Sequence, residues 1–200
     1  MGHAPENTIA SFEAAIALEC DEVDTDVWSR PEGLVIRHDP PGPSDDGTPA
    51  LTLDEVLEYC RGRVAVNVEL KCRGSEEKAA ETGRRVATRL AERGGDEAYV
   101  SSFWWPALAA AAEAAPAVRR AFIFASYPPL DALLSAGAGI GLWALHPRVD
   151  YATTGLVRRA HEAGLRVNAW TANDPRDIAA LVAAGVDGIA SDYPERVPKG

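Results

Sequence analysis

Asp24 and Asp26 flank Thr25 in a short, otherwise apolar stretch. Side chains alternate along a strand, so these two carboxylates share one face while Val23, Thr25 and Val27 share the other. Like charges held that close repel, and one tends to stay protonated unless a metal ion or a base neutralises the pair. Two later stretches supply matching chemistry. Gly33-Leu-Val-Ile-Arg-His38-Asp39 closes an apolar run with a histidine, and an imidazole titrates near neutrality and can move a proton. In Val64-Ala-Val-Asn-Val-Glu69-Leu-Lys71, the residues Asn67, Glu69 and Lys71 share one face, and Val64, Val66, Val68 and Leu70 the other. Polar residues gathered at the ends of several apolar strands are the pattern of an α/β active site.

The elements that must position these residues read as a strand and helix alternation. After the opening Met1–Thr8, Ile9, Phe12, Ala15, Ile16 and Leu18 stand at helical spacing, with Asn7 or Thr8 as N-cap. Strands over 22–27 and 34–38 follow, too close together for a helical crossover, so they form a hairpin or two strands joined by an extended crossing. The Pro- and Gly-rich residues 40–50 read as a loop beside His38, placed to rim a site. Thr52-Leu-Asp-Glu55 is a capping box opening a helix over 53–60. Beyond the Glu69 strand, helices over 75–93, 106–115, 129–136, 153–163 and 175–184 alternate with strands over 98–103, 120–125, 140–145, 166–170 and 187–191. This alternation predicts a parallel sheet with helical crossovers, closed as a barrel at this repeat number. No glycine-rich phosphate loop or dinucleotide fingerprint is present.

Composition narrows the function classes. The 200 residues suffice for one domain, 1–200, at the small end for an α/β barrel. A net charge of −10 disfavours nucleic acid and anionic membranes and suits a divalent cation. Cys20, Cys60 and Cys72 are odd in number and lack CxxC spacing, which reads as reduced thiols in a cytoplasmic protein. No apolar run approaches the ~18 residues of a membrane span, so no stable membrane insertion is expected.

Laid end to end, these motifs resemble the glycerophosphodiester phosphodiesterase family. Pro5-Glu-Asn-Thr8, Asp24-Thr-Asp26-Val27, Glu32-Gly33, His38-Asp39-Pro40, Val68-Glu69-Leu70-Lys71, Ser101-Ser-Phe103, Ala169-Trp170-Thr-Ala-Asn173 and Gly185-Val-Asp-Gly-Ile189 with Ser191-Asp-Tyr-Pro194 follow the family's motifs in order and spacing. The resemblance implies a (β/α)8 TIM barrel with a divalent metal at the C-terminal ends of its strands. It also implies hydrolysis of glycerophosphodiesters to glycerol phosphate and an alcohol, within phospholipid metabolism, on a small-molecule substrate. Two departures stand out. The strand ending in His-Arg-Gly that opens family members is absent, so the expected barrel lacks its first strand and one acid/base histidine. Asp24 replaces a glutamate, shortening a ligand by one methylene.

On this reading the metal ligands are Asp24, Asp26 and Glu69. Their oxygen-only set suits Mg2+ or Ca2+ over zinc. Glu22 shares their face, but the spacing to Pro5 and to Gly33 favours the Asp24 and Asp26 pair. His38 is the catalytic acid or base. Lys71 holds a phosphate oxygen and Trp170 packs against the glycerol or leaving alcohol, although a surface lysine and a core aromatic are the plainer accounts of those two. His146 is a further candidate for the mouth, His161 reads as a surface residue and His3 as a loop residue. The rival functions are a barrel that binds metal or a phosphate ester without turnover, and a sphingomyelinase-D-like phospholipase.

Overall fold

Helix-forming and strand-forming stretches segregate cleanly in a computed structural model of the chain, which describes residues 2–40, 50–94 and 97–199. They fall into two compact units, His3–Arg119, and Arg120 onward together with Gly2.

The first unit runs α1 (Ile9–Ala17), β1 (Glu22–Arg30), β2 (Gly33–Ile36), α2 (Leu53–Cys60), β3 (Ala65–Lys71), α3 (Glu76–Arg93), β4 (Ala98–Ser102) and α4 (Trp105–Ala114). Its strands lie in the order β2-β1-β3-β4. β1, β3 and β4 are parallel, joined through α2 and α3, whereas β2 turns back antiparallel on β1 with Val27 opposite Ile36 and Arg30 opposite Gly33. The close pair of strands is therefore a hairpin. Local chemistry sets the helix starts: Thr8, and not Asn7, caps α1, Thr52 and Glu55 form the expected capping box, and Ser75 caps α3. Alternation sorts the strand faces as the sequence requires. Val23, Thr25 and Val27 of β1 and Val66, Val68 and Leu70 of β3 are buried.

The second unit repeats the strand–helix rhythm: β5 (Arg120–Phe124), α5 (Leu130–Gly139), β6 (Ala144–Pro147), α6 (Thr154–Glu162), β7 (Arg166–Ala169), α7 (Pro175–Ala184) and β8 (Gly188–Ile189). Neighbouring strands from β5 to β8 pair in parallel. Ala169, Ala172, Ile178 and Leu181 form a buried cluster with Ala152, covered by Val149, Val186, Ile189 and Val197. Two of the expected elements move: α5 continues through the Ala-Gly-Ala-Gly run to Gly139, and β6 starts at Ala144 instead of residue 140. The reason is local. Leu142 packs on Gly137 and its N–H bonds to the Gly137 carbonyl (2.8 Å), so the apolar residues read as the start of a strand instead close the helix.

With β2 assigned to a hairpin, seven strands remain of the kind that alternate with helices, and among the described residues no strand precedes α1. In its own unit β1 pairs with β3 over Glu22–Trp28 but with β2 only from Val27 onward.

The α3–α4 contact depends on one missing side chain. A Cβ on Gly83 would fall 2.0 Å from the Ala107 carbonyl oxygen, so the two helices touch backbone to side-chain-free backbone. We predict that Gly83→Ala lowers stability by ~1–3 kcal/mol or more through overpacking. Gly139→Ala, where nothing lies within 4 Å, should be neutral or slightly stabilising. Equal denaturation midpoints for the two variants would refute this account.

Candidate active site

Parallel pairing of β1 with β3 sets Asp24 beside Asn67 and Asp26 beside Glu69, which brings the polar faces of both strands together. A ladder of partners follows. Glu22 accepts a hydrogen bond from the Tyr99 hydroxyl (2.7 Å) and Asp24 Oδ1 from Asn67 Nδ2 (2.8 Å). Asp26 Oδ1 and Glu69 Oε1 both meet the Lys71 ammonium, at 3.0 and 2.7 Å. Asp26 Oδ2 accepts from Asn7 Nδ2 (2.8 Å). Glu22 is thus occupied at the foot of the strand, which explains structurally why it stands apart from the pair above it.

Lys71, Asp26 and Glu69 are only 18%, 15% and 20% exposed at their side chains. Burial pushes the Glu69 carboxyl above its usual range, the Lys71 charge opposes this, and Asp26 adds to it. Burial alone would lower the Lys71 pKa, but the Glu69 and Asp26 charges outweigh it and the ammonium is held protonated. Asp24 is crowded by protein atoms, which raises its carboxyl against the Asn67 hydrogen bond, with the Asp26 charge adding to the rise. Its side chain is nonetheless open to water, and water access tempers the effect.

The three proposed metal ligands are therefore not equivalent. Asp26 and Glu69 converge on one cationic point, filled by Lys71, while Asp24 sits one pairing step back and is turned to Asn67. Among the described residues no group of three or more His, Cys, Asp or Glu side chains is arranged to hold a metal ion. The donor chemistry still fits a hard cation, because two carboxylates already surround a positive charge through their oxygens.

His38 lies two residues past β2 and is exposed. The hairpin places it: Arg37 N–H donates to the Asp26 carbonyl (3.0 Å), and Trp28 Nε1 donates to the His38 carbonyl (3.3 Å). Its Nδ1 faces Asp39 Oδ1 at 3.2 Å. The segment that carries His38 is thus tied to β1 at Asp26 and Trp28. Residues 41–49, most of the loop read as a site rim, lie outside the described residues.

Trp170 belongs to the second unit, just past β7, where its Nε1 donates to the His146 carbonyl (2.8 Å). His146 is buried on β6, and burial pushes its pKa down to about 4, so it is neutral at pH 7. His161 Nε2 lies 2.8 Å from Asp187 Oδ2, and His3 is exposed. Reasoning from the sequence missed Asn7 as a partner of Asp26, having weighed it only as a cap. Asn67 was visible on the Glu69 face, but with no role attached.

Comparison with known proteins adds an independent line. A model of the glycerophosphoryl diester phosphodiesterase family matches residues 42–196. A glycerophosphodiester phosphodiesterase of Caldanaerobacter subterraneus is 26% identical over 230 residues, spanning 96% of this chain and 90% of that protein. The solved structure of an Oleispira antarctica phosphodiesterase in complex with the product sn-glycerol-3-phosphate is 25% identical, with a TM-score of 0.85 over 98% of this chain and 91% of that one. A glycerophosphodiester phosphodiesterase from Parabacteroides distasonis shares the fold at 19% identity, with a TM-score of 0.83 over 98% and 89% of the two chains. The fold class is accordingly the α/β barrel, without its first strand among the described residues.

The buried imidazole of His146 makes a measurable prediction. Its folded pKa of about 4 lies below the unfolded value near 6.5, so the stability it permits is complete above pH ~6.5 and is lost as pH falls toward 4. The loss is on the order of 3 kcal/mol. His146→Gln should flatten the acid limb of a stability-against-pH curve across that window. An unchanged slope would mean that His146 is not buried neutral.

Proposed function

The chain belongs to the glycerophosphoryl diester phosphodiesterase family, and from that premise we infer that it hydrolyses glycerophosphodiesters to glycerol phosphate and an alcohol. The observation that supports the site assignment is the convergence of Asp26 and Glu69, from two parallel strands, on a single cationic point.

A divalent ion, Mg2+ or Ca2+, would be held there by Asp26 and Glu69, with Asp24 as the third carboxylate once released from Asn67. Bound there, the ion supplies a positive centre that offsets charge on the phosphoryl oxygens as phosphorus becomes five-coordinate. The chain's own residues do the rest. Lys71, relieved of its two carboxylates, offers a tethered ammonium to a non-bridging phosphate oxygen. His38 transfers a proton at the attacking water or the leaving oxygen; a P–O bond breaks, water oxygen bonds to phosphorus, and the alcohol leaves with a proton. Asp39, beside His38 Nδ1, orients the imidazole.

No described helix is long and apolar enough to cross a membrane. The odd count of Cys20, Cys60 and Cys72 and their lack of CxxC spacing support reading the protein as one of a reducing, cytoplasmic compartment. A second reading has one observation in its favour: Lys71 already occupies the point between the two carboxylates, as it would in a barrel that binds a phosphate ester without metal or turnover. Hydrolysis of glycerophosphocholine, assayed with Mg2+, Ca2+ or chelator, separates the two, and chelator-sensitive release of choline is the result expected here.

Two substitutions refine the test. Glu69→Gln should abolish the rise in melting temperature that a divalent ion gives to the folded state; a rise of unchanged size would remove Glu69 from the site. His38→Ala should cut turnover by ~10²-fold or more while the fold is retained, and near-normal turnover would move the proton-transfer role to another residue.

A further inference from the structure

Asn7 is bound to the Thr25-Asp26 stretch of β1 by three hydrogen bonds. Its Oδ1 accepts from the Thr25 hydroxyl (3.0 Å) and from the Asp26 N–H (3.0 Å), and its Nδ2 donates to Asp26 Oδ2 (2.8 Å). A backbone N–H can only donate, so the amide has one possible orientation, with its NH2 toward the carboxylate. The backbone supports this placement: Asn7 has φ 57°, a left-handed conformation that asparagine tolerates better than most side chains.

The second unit contains the same device around different residues. Asn173 Oδ1 accepts from the Ser191 hydroxyl (3.1 Å) and the Asp192 N–H (2.9 Å), and its Nδ2 donates to Asp192 Oδ2 (2.7 Å). In each case the asparagine directly precedes a helix N-cap, Thr8 before α1 and Asp174 before α7, and it grips a hydroxyl residue followed by aspartate, within β1 in the first unit and just past β8 in the second. Three matching bonds at two unrelated places mark a specific arrangement for fixing an aspartate's rotamer.

We propose that Asn7 is a positioning residue of the candidate site: by engaging Oδ2 of Asp26 it turns Oδ1 to the cationic point shared with Glu69. The inference rests on the reading of that point as a divalent site. Without Asn7, Asp26 Oδ2 loses its partner and only the cation at Oδ1 orients the carboxylate, so the two oxygens that face the cation from β1 and β3 are less firmly held in place together. Partners of this kind, which touch a ligand's far side, set metal affinity without touching the metal.

The experiment is titration of the purified protein with Mg2+, Ca2+ and Mn2+ by calorimetry, alongside thermal melts without metal. Asn7→Ala should weaken divalent binding ten- to a hundred-fold. Asn173→Ala removes the same three bonds from the other aspartate, so it should cost similar stability while the affinity stays that of wild type. Thr25→Val, which deletes one bond and keeps the side-chain shape, should give a smaller loss of affinity and serves if Asn7→Ala does not fold. Unchanged affinity in Asn7→Ala or, failing that variant, in Thr25→Val overturns the proposal, as does an equal loss in Asn7→Ala and Asn173→Ala. Absence of divalent binding in the wild type would show instead that the site reading itself has failed, and this inference with it.

Discussion

The ammonium of Lys71 between Asp26 and Glu69 is the interaction that makes the rest of the first unit's polar face possible. Parallel pairing in register places those carboxylates side by side, and in a partly buried setting two adjacent negative charges would force one to take up a proton. A lysine two residues beyond Glu69 on the same strand returns to the same face by alternation alone, so β3 carries both an acid and its neutralising base. The triad is far from an exposed surface pair, because each side chain is at most 20% exposed. Removing the lysine without supplying another cation leaves a buried charge uncompensated, which is the costly way to break such a group.

What keeps β1 and β3 in that register lies on their opposite faces. Val23, Thr25 and Val27 and the Val66, Val68 and Leu70 row are buried, so a slip of one residue would turn the polar set into the core and the core to water. α3 and α4 close over the unit at Gly83, where backbone meets backbone. Packing energy on one side of the sheet thus holds charges in place on the other.

The parts of this arrangement legible in the sequence are those set by local chemistry. The Asp24 and Asp26 pair follows from alternation, the Thr52 to Glu55 capping box from four residues, and α3 from its long amphipathic pattern; all three stand as read. The parts that were not legible depend on partners distant in sequence. β2 counted as one strand among eight until pairing showed it antiparallel. β6 was read four residues early because Leu142, apolar like a strand residue, packs on Gly137 instead. Asn7 and Asp26 are separated by 19 positions, and no periodicity links a pre-helix asparagine to a strand aspartate. Asp24 looked equivalent to Asp26 in the sequence, and the register separated them by giving one Asn67 and the other Lys71.

Charge balance connects the triad to the chemistry read from it. Asp26, Glu69 and one ammonium leave the group a unit short of neutral, and a divalent ion in the ammonium's place would balance those two carboxylates, Asp24 not counted. The displaced Lys71 would then be a cation without its two partners, held by a short chain beside the new positive centre. A phosphodiester carries a single negative charge, which matches a single freed ammonium. Under the proposed reading the lysine therefore has two partners in turn: the carboxylates before the metal enters, and the substrate afterwards. The same exchange would carry a cost, since metal binding there would have to break two close ion pairs of 3.0 and 2.7 Å before gaining its ligands. On that proposal, a site built this way would favour a divalent ion most when an anionic substrate is present to receive the lysine, and metal and substrate binding would be coupled through one side chain.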